Sequence, residues 1–235
     1  MLLSYKHRCF DVKAIEKNEE RKIVKAWKGP NAAELRHIWS PKGLPDGTLQ
    51  LTNYRGTDTE IVVPYRIGSK RVTQIGDFCF SPTVYHRHMK ITVTNKETRS
   101  KIKSVAIPKV IREIGFHTFG GCQDLQEVIL NEGLIYIGED AFSMCQSLKT
   151  IVIPLSVRGI FAGAFAFCSS LKDIYILSKE TRLGLEDEKM RRIRRRHPQE
   201  LTPVFYSSHK LTIHAPADSY AEQYAKEYNI PFEAE

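Results

Sequence analysis

The sequence predicts an α+β solenoid. About five coils of 23 residues stack so that their strands form a parallel β ladder, with a hairpin closing the N-terminal end and a helix closing the C-terminal end. Two observations carry this. First, six columns recur at a step of 23 residues: Val105/Val128/Ile151/Ile174, Ile107/Leu130/Ile153/Ile176, Ile114/Ile137/Ile160, Phe119/Phe142/Phe165, Cys122/Cys145/Cys168 and Leu125/Leu148/Leu171. A fixed period in this range is the mark of stacked repeats that bury a shared core. Second, Leu-x-x-Val-x-Ile alternates within each unit, which puts its apolar residues on one face of a short strand.

The rest of the unit follows from the same physics. Pro108 and Pro154 end their strands because proline cannot donate to a ladder. Ile-Gly then makes a tight bend, a short turn carries the Phe, and Cys-x-x-Leu leads into the next strand. Each coil leaves an apolar edge that the next coil covers. Strands of successive coils are expected about 4.8 Å apart.

These residues resemble the BspA-type leucine-rich repeat, whose units run Val-x-Ile-Pro, Ile-Gly, Ala-Phe and Cys-x-x-Leu. Ala141-Phe142 and Ala164-Phe165 match that pattern, while Thr118-Phe119 matches only the Phe. Phe161 stands where the unit has Gly, and Asn131 where it has Pro. The resemblance spans roughly residues 46–235. It implies a bacterial interaction module of a kind best known from surface and secreted proteins, with adhesion or host-protein binding among the functions implied.

Taken in order, residues 1–45 read as a charged N-terminal segment, with a helical stretch from about Ile15 to Trp27, and residues 46–235 as the repeat domain. Residues 46–64 read as the capping hairpin: Leu49, Leu51 and Tyr54 alternate, Arg55-Gly56-Thr57 turns, and Ile61-Val62-Val63 returns. Pro64 to Phe80 repeats the unit with a longer bend. Two insertions interrupt the array, at 81–101 and 178–210. The first reads as a projecting hairpin whose His86-x-His88 pair lacks a third ligand, so no metal site is expected there. The second holds a helix candidate from Leu185 to His197, with Asp187–Arg191 and Glu188–Arg192 at i,i+4. Leu211 to His214 resumes the strand. Ser219 to Glu222 is a capping-box pattern, and Ala221, Tyr224, Ala225 and Tyr228 share one face of the closing helix.

Charge and cysteine narrow the function. The net charge of +8 divides into +4 on residues 1–29, +3 on residues 178–200 and +1 on everything else. The solenoid is thus nearly neutral. The run Arg191, Arg192, Arg194, Arg195 and Arg196 offers a phosphate-binding possibility, but it lacks interleaved aromatics and reads first as a solvated helix face. Cys122, Cys145 and Cys168 read as small buried hydrophobes, Cys79 as buried too, and Cys9 as the one reactive thiol. No run of 18 apolar residues exists, so no membrane span is expected. The apolar run before Lys6 and Arg8 is too short for a secretory leader. That places the chain as given in the cytoplasm, or at the surface or outside the cell if it is part of a longer protein.

No nucleophile elbow, phosphate-cradling Gly loop or His-Glu-x-x-His helix is present. The expectation is therefore a non-catalytic monomer with no cofactor, binding a protein or ligand partner through its concave face. One outward column reads Glu60, Ser104, Glu127, Thr150, Asp173, Thr212, and the next Val62, Ala106, Ile129, Val152, Tyr175, His214. The second is apolar where a solvated sheet would be polar. Glu127, Ile129, Thr150, Val152, Asp173, Tyr175 and His214 are the candidate contacts, unless the N-terminal segment or the 178–210 insertion folds over them. Two rival readings stand beside this one. One is nucleic-acid or anionic-surface binding through residues 189–197, and the other is an accessory subunit that positions an enzyme.

Overall fold

A computed structural model describes residues 31–83, 95–188, 191–192 and 201–235. The expected helix over 15–27, Cys9, the projecting hairpin with His86 and His88, and Arg194 to Arg196 lie outside those residues.

The chain opens with helix α1 (Ala32–Ile38), capped by Asn31, whose side chain accepts from the backbone of Ala33 and Glu34 while Glu34 returns the bond to Asn31. Strands β1 (Trp39–Gly43) and β2 (Leu49–Tyr54) pair antiparallel, with Trp39 opposite Tyr54. Leu44 N–H donates to Thr48 at 2.9 Å to close the turn. The capping hairpin is therefore present, but it begins upstream of the expected 46–64. Pro41 and Pro45 hid its first strand from a sequence reading. Pro41 sits at the register shift on the outer edge of the sheet, where a missing N–H breaks no ladder bond. Ile61-Val62-Val63 does not return to β2. Instead β3 (Glu60–Val62) opens a second ladder.

Two ladders line the solenoid. After β4 (Arg66–Ile67) and β5 (Lys70–Ile75), each coil gives one strand to each ladder: β6 (Ser104–Ile107) and β7 (Glu113–Ile114), β8 (Glu127–Leu130) and β9 (Tyr136–Ile137), β10 (Thr150–Ile153) and β11 (Gly159–Phe161), β12 (Asp173–Ile176) and β13 (Arg182–Leu185). Then come β14 (Thr212–Ala215) and β15 (Phe232–Ala234). One ladder runs β2-β5-β7-β9-β11-β13 in parallel. The other is built of β3-β6-β8 and β10-β12-β14-β15, also parallel. Among the described residues seven strands stack on this second side, against about five repeats counted from sequence. The expanded coil at β3 and the terminal β15 account for the difference.

Between the ladders runs an aromatic spine. Phe80, Phe119, Phe142 and Phe165 are fully buried and stack with ring centroids 4.6, 5.1 and 5.3 Å apart. Trp39 and Tyr54 continue it into the hairpin. Phe205 continues it at the other end, 5.9 Å from Phe165 and 5.9 Å from Tyr224 of helix α3 (Tyr220–Glu227). Burying each Phe is worth about 2–3 kcal/mol. The backbone joins the same stack: Phe80, Phe119, Phe142 and Phe165 donate to Thr118, Ala141, Ala164 and Val204 of the following coil at 2.7–2.9 Å.

The cysteine column is a second, polar-tipped spine. Cys122, Cys145 and Cys168 sulfhydryls donate to the carbonyls of Phe80, Phe119 and Phe142 at 3.5, 3.4 and 3.2 Å. Ser208 takes the same role one coil on, its hydroxyl donating to Phe165 O at 3.0 Å. Val204-Phe205, Ser208 and Leu211 thus rebuild the repeat within what the sequence reading treats as insertion. Likewise β13 pairs with β11, so Leu185 ends a strand rather than starting a helix. Helical bonding begins beyond it, with Arg191 N–H donating to Asp187 O at 2.8 Å.

Helix α2 (Lys96–Ser100) closes the first insertion and carries a residue no pattern predicts. The Arg99 side chain is buried and donates to the carbonyls of Tyr54 and Ser81, the latter at 3.0 Å, and to Asn53 Oδ1. It ties the insertion to the first coils. At the far end, Ser219 Oγ accepts from Glu222 N–H at 3.1 Å, while the Glu222 carboxylate takes Asp218 N–H rather than its own cap residue.

Candidate binding face

The second ladder presents the residues singled out from the sequence, in the expected register. Glu60, Ser104 and Glu127 are aligned, as are Thr150, Asp173 and Thr212. Val62, Ala106 and Ile129 form one block of the apolar column, and Val152, Tyr175 and His214 the other. Strand pairing breaks between β8 and β10, so the two blocks meet without ladder bonds. At that break Asn131 replaces the usual proline, and its side-chain amide donates to Ile107 O at 2.8 Å.

Exposure varies along the strip. Val62 is 36% exposed, and Ile129, Val152 and Tyr175 are half-buried. Glu127 and Thr150 are exposed, and Asp173 is half-buried. Two members differ from expectation. Ala106 is buried, and so is His214, because β15 lays Glu233 beside it. Its Nε2 lies 3.0 Å from Asp173 Oδ1, and its ring stacks on Tyr175 at 4.4 Å. His214 therefore stacks beside Tyr175 from the neighbouring strand rather than offering a free contact. Asp173 is engaged as well, which leaves Glu60 and Glu127 as the acidic rim.

The arginine run is only partly described. Arg191 and Arg192 both pair with Glu188, Arg192 Nε at 3.3 Å from its Oε1. The pairing expected between Asp187 and Arg191 is thus made by Glu188 instead. These contacts use part of the cationic charge at an exposed position.

A feature that sequence reasoning missed lies over the other ladder. There a cavity of about 650 Å³ is walled by Phe116, Tyr136 and Phe161 and carries Glu113, Glu139 and Asp187. Desolvation, then Asp77 and Asp187, raise the Glu113 carboxyl above its usual range. Glu113 and Tyr136 are register partners on β7 and β9. The signal was legible only as a second outward column, one strand removed from the one chosen.

The stacked coils, paired ladders and aromatic spine define a solenoid of the leucine-rich-repeat class. Residues 95–186 match the BspA type leucine rich repeat region, in six copies, and this array is of that family. No curated protein matches the chain. Among solved structures, a leucine-rich repeat protein of T. pallidum (TpLRR) is similar over 75% of this chain and 68% of its own, with 23% identity and a TM-score of 0.58. PcpA, a pneumococcal vaccine antigen, is similar over 81% of this chain and 46% of its own, with 15% identity and a TM-score of 0.50. A leucine-rich repeat protein from Bacteroides capillosus is 28% identical over 59% of this chain and 94% of its own, with a TM-score of 0.49. The likeness to the first two is one of fold. Leucine-rich repeat proteins are generally interaction or surface modules and generally non-enzymatic. No helix among the described residues is long and apolar enough to cross a membrane.

Proposed function

We propose that this chain is a non-catalytic interaction module that binds a protein partner through the strip centred on Ile129, Val152 and Tyr175. One observation supports the reading above the rest. Half-buried Val152 and Tyr175 are register partners on a sheet face, with half-buried Ile129 on the strand across the break, where water alone would favour polar residues. Tyr175 offers a large apolar body with a polar tip, the type favoured at binding centres. Glu127 and Glu60 favour a partner with a basic rim, which would steer encounter more than add affinity. Arg191 and Arg192 pair with Glu188, which weighs against phosphate binding as the main role.

The test is paired capture from the native cell with three proteins: wild type, a Val152→Asp/Tyr175→Ala variant and a Tyr136→Ala control in the cavity of the other ladder. Circular dichroism first establishes that all three are folded. Partners retained by wild type and the control, but lost at least tenfold by the strip variant, support the reading, since truncating a binding centre costs about 2 kcal/mol or more. Retention by the strip variant with loss in the control would move the site to the cavity.

A further inference from the structure

We propose that His214, Glu233 and Glu235 form a binding site for a divalent transition ion of the zinc kind, pinning the last strand of the solenoid to its neighbour. The proposal rests on its own geometry and does not require the strip to bind a protein.

His214 and Glu233 are register partners on β14 and β15. Glu235 follows Glu233 by two, so its side chain returns to the same face, and its N–H bonds Ala215 O at 3.0 Å to keep the strand extended. His214 Nδ1 lies 3.4 Å from Glu233 Oε2 and 3.5 Å from Glu235 Oε1. The three donor atoms fall within 4.8 Å of one another. A tetrahedral ion with ligands at about 2.0–2.2 Å has ligand-to-ligand edges of roughly 3.3–3.6 Å. The two distances from the imidazole match that edge.

The state of His214 gives an independent reason. Its Nδ1 is buried and makes no hydrogen bond, since both carboxylate oxygens stand beyond the roughly 2.7–2.9 Å of a charge-assisted bond. The opposite ring nitrogen faces Asp173 Oδ1 at 3.0 Å. If Nε2 carries the proton to Asp173, the lone pair on Nδ1 points toward Glu233 and Glu235, and three acceptors converge with no donor between them. A cation supplies what is lacking. Asp173 then plays the outer partner that orients and polarises a ligating histidine, while Tyr175, stacked at 4.4 Å, holds the ring plane. Imidazole with carboxylates suits zinc and its neighbours better than calcium or magnesium, which favour all-oxygen sets. The Glu233 side chain is 67% exposed, so the fourth position faces water.

Zinc titration of the full chain by calorimetry, with Co²⁺ in parallel, tests this. The expected result is one equivalent bound, cobalt broadening of the His214 ring resonances, and a rise in melting temperature with zinc but not with magnesium. Glu233→Gln/Glu235→Gln should weaken zinc at least 100-fold, since it removes two of three ligands. Asp173→Asn should weaken it about 10–100-fold. Both carboxylates of the double variant lie toward the surface, so folding is not at risk. An imidazolium paired with Asp173, Glu233 and Glu235 would instead bind no zinc. The proposal is overturned if wild type binds no zinc at about 100 µM, or if the double variant binds within roughly threefold of wild type.

Discussion

At the scale of single residues, the buried thiols give the sharpest expectation. Desolvation pushes Cys79 and Cys168 up to about 12 and raises Cys122 and Cys145 well above the ordinary thiol range. Their folded values exceed the unfolded value of 9.0, so the stabilisation they provide is complete below pH 9 and is lost as pH rises toward 12. A thiol reagent at pH 8 should leave all four unmodified in the native protein, and mass spectrometry would count them. The burial of this column was legible from its period alone. Arg99 was not, because it lies in an insertion with no repeat to align against, and its partners are backbone carbonyls up to 45 residues away and the Asn53 side chain. Arg99→Met should cost about 2–3 kcal/mol in urea unfolding, by stripping charged donors from buried carbonyls. A loss below about 0.5 kcal/mol would mean the first coils do not depend on that tie.

At the scale of elements, the spine makes each coil answer to its neighbours. Phe142→Ala should cost about 3–5 kcal/mol. From sequence, Phe80 beside an irregular insertion reads as less constrained than Phe142, yet it is fully buried and touches Trp39, Tyr54 and Phe119. Phe80→Ala should therefore cost a similar amount, and chemical denaturation of the two variants compares them. Ser208→Cys should change stability by less than about 1 kcal/mol, because the hydroxyl already fills the sulfur's place. That coil escaped recognition since Ser stands for Cys and Val for Ala, and 40 residues separate Phe165 from Phe205 in place of 23. The opening hairpin escaped for a different reason: its two prolines argue against a strand unless the strand is known to lie on an edge. The ladder register was legible because alternation and period leave only one alignment. The proposed metal-binding trio was not, because it joins a repeat strand to Glu233 and Glu235, 19 and 21 residues on and outside the repeat pattern.

At the scale of the whole molecule, the central claim is one continuous solenoid from Trp39 to Ala234, on which a binding strip can be held rigid. A repeat array with intact interfaces opens as a unit, while a broken one opens coil by coil. The amides of Phe80, Phe119, Phe142 and Phe165 each cross from one coil to the next, so they sample the successive interfaces from Phe80 to Phe205. Native-state hydrogen exchange of these four amides is the most direct measurement. The account predicts opening free energies within about 1 kcal/mol of one another and close to that of global unfolding. Exchange at Phe165 several kcal/mol easier than at Phe119 would mean that the coil around Phe205 is not part of the array, and the continuous solenoid would be wrong.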